Sequence, residues 1–214
     1  MSPSNLFFNF WLPAVILSAA FYRRPDPTII ARELLGKVLV SEIGDQRTAG
    51  IITETEAYAH VNDRACHSHL RRFTDRTRVM YEPGGVAYCY LVYGLHVLFN
   101  IVTNEAGRAD AVLIRALEPI EGEAVMLARR GLKQVARNLT AGPGLLTQAL
   151  GISKAQYGHD LTTGHELWVE DRGTRVMDAD ILASPRVGID YAGEDAALPW
   201  RFRVKKSRWT SPAK

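Results

Sequence analysis

The sequence predicts a single α+β domain built on a curved, mainly antiparallel sheet with helices at its periphery. A chain of 214 residues is long enough for one well-packed domain, and 47% apolar with 23% charged residues is typical of globular proteins. The predicted strands and helices do not alternate regularly, as they would around a parallel sheet. The net charge of +3 permits an acidic partner such as nucleic acid. Two cysteines form neither a metal-ligand spacing nor a disulfide framework.

The sequence is mostly apolar from Leu6 to Phe21, but Asn9, Pro13 and Ser18 interrupt the run. No basic residue precedes the run, as one would in a signal peptide, and a membrane span needs about 20 unbroken apolar residues. We therefore expect residues 1–20 to form an extension that packs on the protein, with a targeting or membrane-inserted segment as the alternative. Residues 21–214 are expected to form the single domain.

The first half of that domain is predicted to hold a helix, two strands and a long loop. A helix begins near Thr28 and stops at Gly36, and strands follow over 38–43 and 49–58. Residues 59–79 are polar, rich in arginine and largely unpatterned, which predicts a loop with one helical turn. A loop of this length inside a compact domain is usually functional.

The second half is predicted to begin with a hairpin. Residues 84–103 contain two apolar, aromatic and β-branched runs with Tyr93-Gly94 between them. A strand over 111–120 and a helix over 122–130 follow. The Gly-Pro-Gly turn at 142–144 opens a second helix, which Gly151 closes. Two further strands are predicted in "PRVGIDYAG", residues 185–193, and in "WRFRVKKSRW", residues 200–209.

The strand with the sequence "ETEAY" carries the first candidate site residues. Strand alternation places Glu54, Glu56 and Tyr58 on one face. That face is either a polar outer surface or the wall of a site in which one carboxylate acts as a base beside an aromatic ring. Two carboxylates so close along one strand cannot flank a substrate as an acid and a base, so at most one of them is catalytic.

Three other residues are unusual where they stand. Tyr93 is placed at a hairpin tip, and an exposed aromatic ring at a tip suits insertion between stacked bases. Asn100 lies in an apolar strand, where its amide either joins a structural network or contacts a base edge. Arg115 is a charge in an apolar strand, so a carboxylate of the glutamate strand or a substrate phosphate is expected to pair with it.

Several motifs in order resemble those of the alkyladenine DNA glycosylases, also called mammalian-type 3-methyladenine DNA glycosylases. The resemblance runs from about Phe21 to Trp209 and rests on "ARELLGKVLV", "ETEAY", "D-x-A-C-H-S", "MYEPGGVAYCYLVYGLH", Asn100, "LIRALEP" and "GPGLLTQALGI". It implies one mixed domain with a hairpin that inserts into the minor groove. It also implies a monofunctional repair enzyme that flips a damaged purine out of duplex DNA and hydrolyses the N-glycosidic bond with an activated water, leaving an abasic site.

The resemblance assigns a role to each candidate residue. Glu56 and Arg115 correspond to the catalytic base and to an arginine near the water and the nucleotide backbone. The base pocket corresponds to Tyr58, His67, Tyr90 and Asn100, of which Asn100 disfavours guanine. Tyr93 corresponds to the wedge that intercalates in the duplex. The arginine-rich loop is either a solvated surface or a DNA backbone contact through Arg71, Arg72, Arg76 and Arg78.

The resemblance also implies the partners. The expected partner is double-stranded DNA with damaged bases, bound by a monomer that needs no metal or other cofactor and has no stable membrane association. The expected compartment is the nucleoid of a bacterial cytoplasm or a eukaryotic nucleus. Because the matched site offers no lysine, strand-cleaving lyase activity is not expected. The preferred lesion stays open among 3-methyladenine, 7-methylguanine, hypoxanthine and ethenoadenine.

Two positions depart from the family pattern, and two rival functions remain. His60 stands where relatives often have glycine, and Leu145 where they commonly have lysine, which bears on a phosphate contact from the helix after residue 142. A non-enzymatic damaged-DNA-binding protein would keep the arginines and Tyr93 but would not need Glu56. A hydrolase of free nucleosides would need neither the hairpin aromatic nor the arginine loop.

Overall fold

A computed structural model of the protein describes residues 14–211. Residues 1–13 of the predicted extension lie outside the described residues. The strands are β1 Val15–Ile16, β2 Val38–Ile43, β3 Gln46–Tyr58, β4 Ala87–Val92, β5 His96–Thr103, β6 Asp110–Glu121, β7 Leu167–Asp171, β8 Ile181–Ser184 and β9 Arg201–Val204. The α-helices are α1 Ala19–Tyr22, α2 Pro27–Glu33, α3 Glu123–Arg130 and α4 Pro143–Leu150. Short 3-10 turns cover His69–Arg71, Arg78–Tyr81, Arg137–Leu139, Lys154–Gln156, Asp178–Asp180 and Asp190–Ala197.

The strands form one antiparallel sheet in the order β1-β7-β2-β3-β6-β5-β4, and β9 joins β3 to β8 off this path. The sheet curls, and few helices cover it. This confirms the predicted α+β fold with a curved antiparallel sheet. None of the helices within residues 14–211 is long and apolar enough to cross a membrane.

The longest strand, β3, has different neighbours along its two halves. Its first half pairs with β2, from Ile51 opposite Val38 to Gln46 opposite Ile43, and its second half pairs with β9 at Glu54, Thr55 and Glu56. On its other side, β3 pairs with β6 along most of its length, but the register skips Thr53 on β3 and Arg115 on β6. Such an irregularity bends a strand and redirects its side chains. Here it lies where β3 changes neighbours.

Helix α2 covers the middle of β3. Asp26 caps the helix by accepting a hydrogen bond from the Thr28 amide at 2.8 Å, and Pro27 occupies the first turn, where no amide hydrogen is needed. Its apolar face is buried, and the Thr55 hydroxyl donates to the Ala31 carbonyl oxygen at 2.8 Å. Because β3 is covered on both faces, Glu54 and Glu56 are fully buried. The alternative of a polar outer face at these residues is therefore wrong.

The predicted hairpin is formed by β4 and β5, which pair from Ala87–Ile101 to Val92–His96. Tyr93 and Gly94 at its tip have φ of 51° and 70°, both in the left-handed region. Glycine adopts this region readily, whereas tyrosine is strained there. The Tyr93 side chain is 91% exposed. The tip therefore holds an aromatic side chain in solvent on a strained backbone.

The strand predicted over residues 185–193 is wrong. The segment is a loop that runs into the 3-10 turn Asp190–Ala197. Pro185 cannot donate to a ladder, and Gly188 has a left-handed φ of 73°, so the segment cannot pair as a strand although it is apolar. The strands β7 and β8 were not predicted, because each has an apolar run of only three residues, over 167–169 and 181–183.

Candidate active site

A cluster of buried charges lies in the middle of the sheet, where β3, β6 and β9 meet. Arg115 donates from Nε to Glu54 at 2.9 Å and from Nη1 to Glu56 at 3.1 Å. Arg201 donates from Nε to Glu54 at 2.7 Å, and the Ser211 hydroxyl donates to the same carboxylate at 2.7 Å. The prediction that a carboxylate of the glutamate strand pairs with Arg115 is confirmed, and both carboxylates do so.

The two guanidinium groups keep the Glu54 carboxylate ionised. Burial alone would raise the pKa of Glu54, but Arg115, the hydrogen bonds from Ser211 and the charge of Arg201 outweigh it, so the pKa lies below its ordinary value. Burial likewise opposes the charge of Arg115, but the carboxylates of Glu56 and Glu54 raise its pKa. Glu54 is thus a permanent counter-charge for the arginines.

The Glu56 carboxylate has a different set of neighbours. It accepts hydrogen bonds from the Tyr58 hydroxyl at 2.9 Å, from Arg115 and, on its other oxygen, from the Val187 amide at 2.8 Å. An ionised carboxylate offers roughly four acceptor positions, so one more donor can be bound. Burial, followed by the charge of Glu56, raises the pKa of Tyr58 well above its ordinary value, which keeps the phenol protonated as a donor.

A cavity of about 620 Å³ lies next to Glu56. Glu56 does not itself line the cavity, but the three residues that donate to its carboxylate, Tyr58, Arg115 and Val187, do. The predicted site residues that line the cavity are Tyr58, His67, Arg76, Tyr90, Tyr93, Asn100 and Arg115. The structure therefore brings together seven residues from β3, β6, the hairpin and the loop between β3 and β4.

Aromatic rings form one wall of the cavity. The centres of the Tyr88 and Tyr90 rings lie 5.0 Å apart. The His67 and Tyr90 rings pack edge to face with their centres 4.7 Å apart. His67 Nδ1 and the Tyr88 hydroxyl are hydrogen-bonded at 2.9 Å. Burial, then the charges of Arg76 and Arg72, lower the pKa of His67 to about 4, so the imidazole is neutral at pH 7. Burial raises the pKa of Tyr88 to about 12.

Asn100 borders the same cavity from β5. Its amide nitrogen donates to the Tyr88 carbonyl oxygen at 3.2 Å, across the β4–β5 pair. This fixes the orientation of the side chain beside the aromatic wall. The structural role predicted for a buried amide is present, and the site role stays a prediction.

A second buried ion pair holds the loop after β3. Arg186 forms a two-pronged contact with Asp63, at 2.7 and 2.8 Å, and donates to the Ala57 carbonyl oxygen at 2.8 Å. Its guanidinium also lies 4.7 Å above the centre of the Tyr58 ring. Because Arg186 directly precedes Val187, this pair holds both the ring and the amide that contact Glu56.

The rim of the cavity holds the remaining predicted residues. The Arg76 guanidinium lies 5.3 Å above the Tyr90 ring. Arg71, Arg72 and Arg78 are exposed but do not line the cavity. None of these four arginines forms an ion pair within residues 14–211.

The two positions that depart from the family pattern have clear places. Leu145 lines the cavity beside Gly142, Pro143 and Gly144 at the start of α4, so an apolar side chain stands at that helix end. His60 begins the loop after β3, where its amide donates to Asp110 at 2.6 Å and its ring nitrogen Nδ1 is hydrogen-bonded to Ser68. Its side chain thus links two parts of the same loop.

Sequence reasoning missed several residues of the site. Arg201 and Ser211 complete the charge cluster, and Tyr88 contributes its hydroxyl to the wall. Arg186 and Val187 fell in the segment predicted as a strand. An arginine within each of two short apolar segments, "PRVGI" and "WRFRV", was the signal in the sequence, because a charge there must find a buried partner.

The sequence matches a family of known proteins over most of its length. A family model described as methylpurine-DNA glycosylase matches residues 20–208. A protein of Methanocella arvoryzae is 47% identical over 192 residues, which cover 90% of this chain and 94% of the relative. A relative from Desulfitobacterium hafniense is 45% identical over 91% of this chain and 98% of its own length. A relative from Carboxydothermus hydrogenoformans is 46% identical over 92% of this chain and 99% of its own length. All three bear the name "Putative 3-methyladenine DNA glycosylase".

Proposed function

The chain belongs to the methylpurine-DNA glycosylase family, and on this basis we propose that it excises damaged purines with Glu56 as the base that activates water. It is a DNA glycosylase, a hydrolase of N-glycosyl bonds, which sets aside the non-enzymatic alternative. The observation that carries the proposal is the position of Glu56. Its carboxylate contacts three residues of the cavity wall and keeps one acceptor position free.

The cavity supports a mechanism that flips the nucleotide. The glycosidic bond of a stacked base is out of reach, so the nucleotide must leave the duplex at a cost of a few kcal/mol. A cavity of about 620 Å³ is within the usual range for small-molecule sites and has room for a purine with its sugar. Tyr93, at the exposed hairpin tip on the rim, is suited to fill the space left in the duplex.

The aromatic wall supports recognition of alkylated purines. Electron-rich rings attract a base made cationic by alkylation, and Tyr58, Tyr88 and Tyr90 supply such rings. The neutral His67 adds no opposing charge. An alkylated base is also a good leaving group, so one carboxylate suffices for its removal. We propose 3-methyladenine and 7-methylguanine as substrates, and hypoxanthine and ethenoadenine as neutral candidates.

The charge cluster supports the hydrolytic step. Glu56 accepts a proton from water as the oxygen attacks the sugar carbon, the C–N bond breaks and the base departs with the bonding electrons. The carboxylate also stabilises the positive charge that develops on the sugar. Arg115 and Tyr58 hold it in place, while Glu54 balances the charge of Arg115. Water bound at the free acceptor position of Glu56 is the expected nucleophile.

Excision from synthetic duplexes tests the proposal. Duplexes carrying hypoxanthine or ethenoadenine are incubated with wild-type protein, Glu56→Gln and Glu170→Gln, then treated with hot alkali to cut abasic sites. Glu170 is a matched control because it is a buried carboxylate of the same sheet, hydrogen-bonded to Trp168 at 3.0 Å. We expect Glu56→Gln to lose on the order of 100-fold or more in rate and Glu170→Gln to keep its rate.

Equal rates for wild type and Glu56→Gln would remove Glu56 from the centre of the reaction. Competition by undamaged duplex separates this function from that of a hydrolase of free nucleosides, which would be indifferent to it. We further propose that the enzyme acts as a monomer on double-stranded DNA, at the nucleoid of a bacterial cytoplasm or, in a eukaryote, in the nucleus.

A further inference from the structure

The loop of residues 69–78, here called the arginine loop, presents two apolar side chains to solvent. Leu70 is 85% exposed and Phe73 is 67% exposed. Single exposed apolar residues are ordinary on protein surfaces. These two, however, stand among four arginines and one aspartate, Asp75, within ten residues. Two exposed apolar side chains surrounded by arginines that are unpaired within the described residues could together bind a polyanion that also has apolar surface.

The backbone of the arginine loop is strained where it exposes these side chains. Leu70 and Arg71 are consecutive and have φ of 56° and 58°, in a region that residues other than glycine avoid. Such strain persists only where the surroundings fix it, and it clusters at functional sites. The Arg72 carbonyl oxygen is held by two donors, the Thr77 hydroxyl at 3.0 Å and the Tyr81 hydroxyl at 3.1 Å. The loop is thus fixed in this exposed conformation.

The arginine loop meets the hairpin at the mouth of the cavity. The Arg76 guanidinium lies above the ring of Tyr90, and Arg76, Tyr90 and Tyr93 all line the cavity. The Phe73 ring packs at 5.2 Å against Tyr81, which leaves most of its surface in solvent. Two exposed apolar projections, the hairpin tip and the arginine loop, therefore border the same opening.

We propose that Leu70 and Phe73 form a second apolar contact with the DNA duplex, beside the contact made by Tyr93. This inference rests on the proposed function, since a nucleotide enters the cavity only if the duplex covers its mouth. The flanking arginines would hold phosphates while the apolar side chains pack into the minor groove against sugars and bases loosened by flipping. The DNA would then be supported on both sides of the extruded nucleotide.

Binding to a duplex with a stable abasic-site analogue tests the inference, because this probe is not consumed. We expect Phe73→Ala to weaken binding on the order of tenfold, as loss of an aromatic contact with bases does, and Leu70→Ala to weaken it less. The slope of log Kd against log salt should stay unchanged, because an apolar contact releases no counterions. Phe73→Trp should retain binding.

Met177→Ala is the matched control. Met177 is 65% exposed and lies beside Asp171 and Lys37, at the other end of the sheet from the hairpin. We expect this variant to bind as the wild type does. Thermal unfolding of each variant tests whether the fold is kept.

Unchanged affinity in both Phe73→Ala and Leu70→Ala would overturn the inference. A reduced salt slope in Phe73→Ala would also overturn it, because the loss would then be electrostatic. Excision of damaged bases by the wild type in the same preparation separates the two proposals. If the wild type excises lesions and the loop variants bind normally, the proposed function stands and this inference fails. If the wild type excises nothing, the proposed function fails whatever the loop variants do.

Discussion

Glu54 and Glu56 are two residues apart on one strand, yet their surroundings give them different chemistry. Within residues 14–211, Glu54 is enclosed by Arg115, Arg201 and Ser211, of which Arg115 alone lines the cavity. Glu56 receives its donors from three residues that line the cavity. A buried ion pair is costly unless each charge is compensated; Glu54 pairs with both Arg115 and Arg201, whereas Glu56 shares Arg115 with it. This difference supports the proposal that Glu56, and not Glu54, acts on the substrate.

His67 makes the stability of the protein depend on pH. Its pKa is about 4 in the folded protein, below the value near 6.5 expected for an unfolded chain, so between these values the unfolded chain binds more protons. We expect acidification from pH 6.5 to pH 4 to lower the free energy of unfolding by roughly 2–3 kcal/mol through this residue. Below pH 4 its contribution should level off.

Urea unfolding of wild type and His67→Gln across this range measures the effect. The difference in the free energy of unfolding between the two proteins should change with pH between 4 and 6.5 and stay constant above. The half-buried His60 also has a pKa lowered by burial, so the comparison with the variant is needed to isolate His67. A pH-independent difference would show that His67 is not held neutral.

At the scale of elements, the contact of Arg186 with Asp63 joins two segments without regular structure. It ties the loop after β3 to residues 186–189, and both border the cavity. Removing one partner of a buried pair leaves an uncompensated charge. We expect Asp63→Asn to lower the free energy of unfolding by about 3 kcal/mol or more.

A double-mutant cycle with Arg186→Met in urea unfolding tests this contact. The double variant should lose less stability than the two single variants together, because neither charge is then left alone. Glu33→Gln is the control, since Glu33 pairs with Arg24 at the surface and both side chains are more than a third exposed. Glu33→Gln should lower the free energy of unfolding by no more than about 1 kcal/mol. Additive losses in the cycle would mean that the two side chains do not stabilise each other.

The residue at the hairpin tip does not favour the stability of the folded protein. Tyr93 is exposed and holds a left-handed backbone that asparagine adopts more readily. We expect Tyr93→Asn to leave the free energy of unfolding unchanged or to raise it by about 1 kcal/mol, while duplex binding weakens. Urea unfolding and a binding titration with the abasic-analogue duplex measure the two effects. A large loss of stability would indicate that the ring packs on the protein.

Most elements could be predicted from periodicity and turn residues. The bounds of β2 and the existence of β3–β6, α2, α3 and α4 followed from local patterns. The loop at residues 185–193 could not be predicted, because its apolar composition is typical of a strand. Pro185 and the left-handed Gly188 nevertheless prevent it from pairing. The short strands β7 and β8 are stabilised by their neighbours in the sheet more than by their own sequence.

At the scale of the whole molecule, the positive charge that matters is local. The net charge is only +3, but Arg71, Arg72, Arg76 and Arg78 are exposed on one loop beside the cavity. Removing a side chain that binds one phosphate should reduce the slope of log affinity against log salt by about 0.9. We expect the double variant Arg72→Ala, Arg78→Ala to reduce the slope by up to twice that amount on undamaged duplex. Binding titrations at several salt concentrations measure it.

Arg175→Ala is the control for this prediction, because Arg175 is exposed beside Met177 at the other end of the sheet. Its salt slope should match that of the wild type. An unchanged slope in the double variant would identify these arginines as a solvated surface, the other interpretation that the sequence allows.

The α+β class, most of the elements and, through an ordered set of motifs, the family all follow from the amino-acid sequence alone. Which charges meet depends instead on the tertiary structure. Arg115 contacts Glu54 across 61 positions of sequence and Arg201 contacts it across 147, so no local pattern reveals these pairs. The register irregularity at Thr53 and Arg115 and the change of neighbour along β3 bring them together. Periodicity reports which face of a strand a side chain occupies, whereas the partner of a buried charge depends on which strands pair.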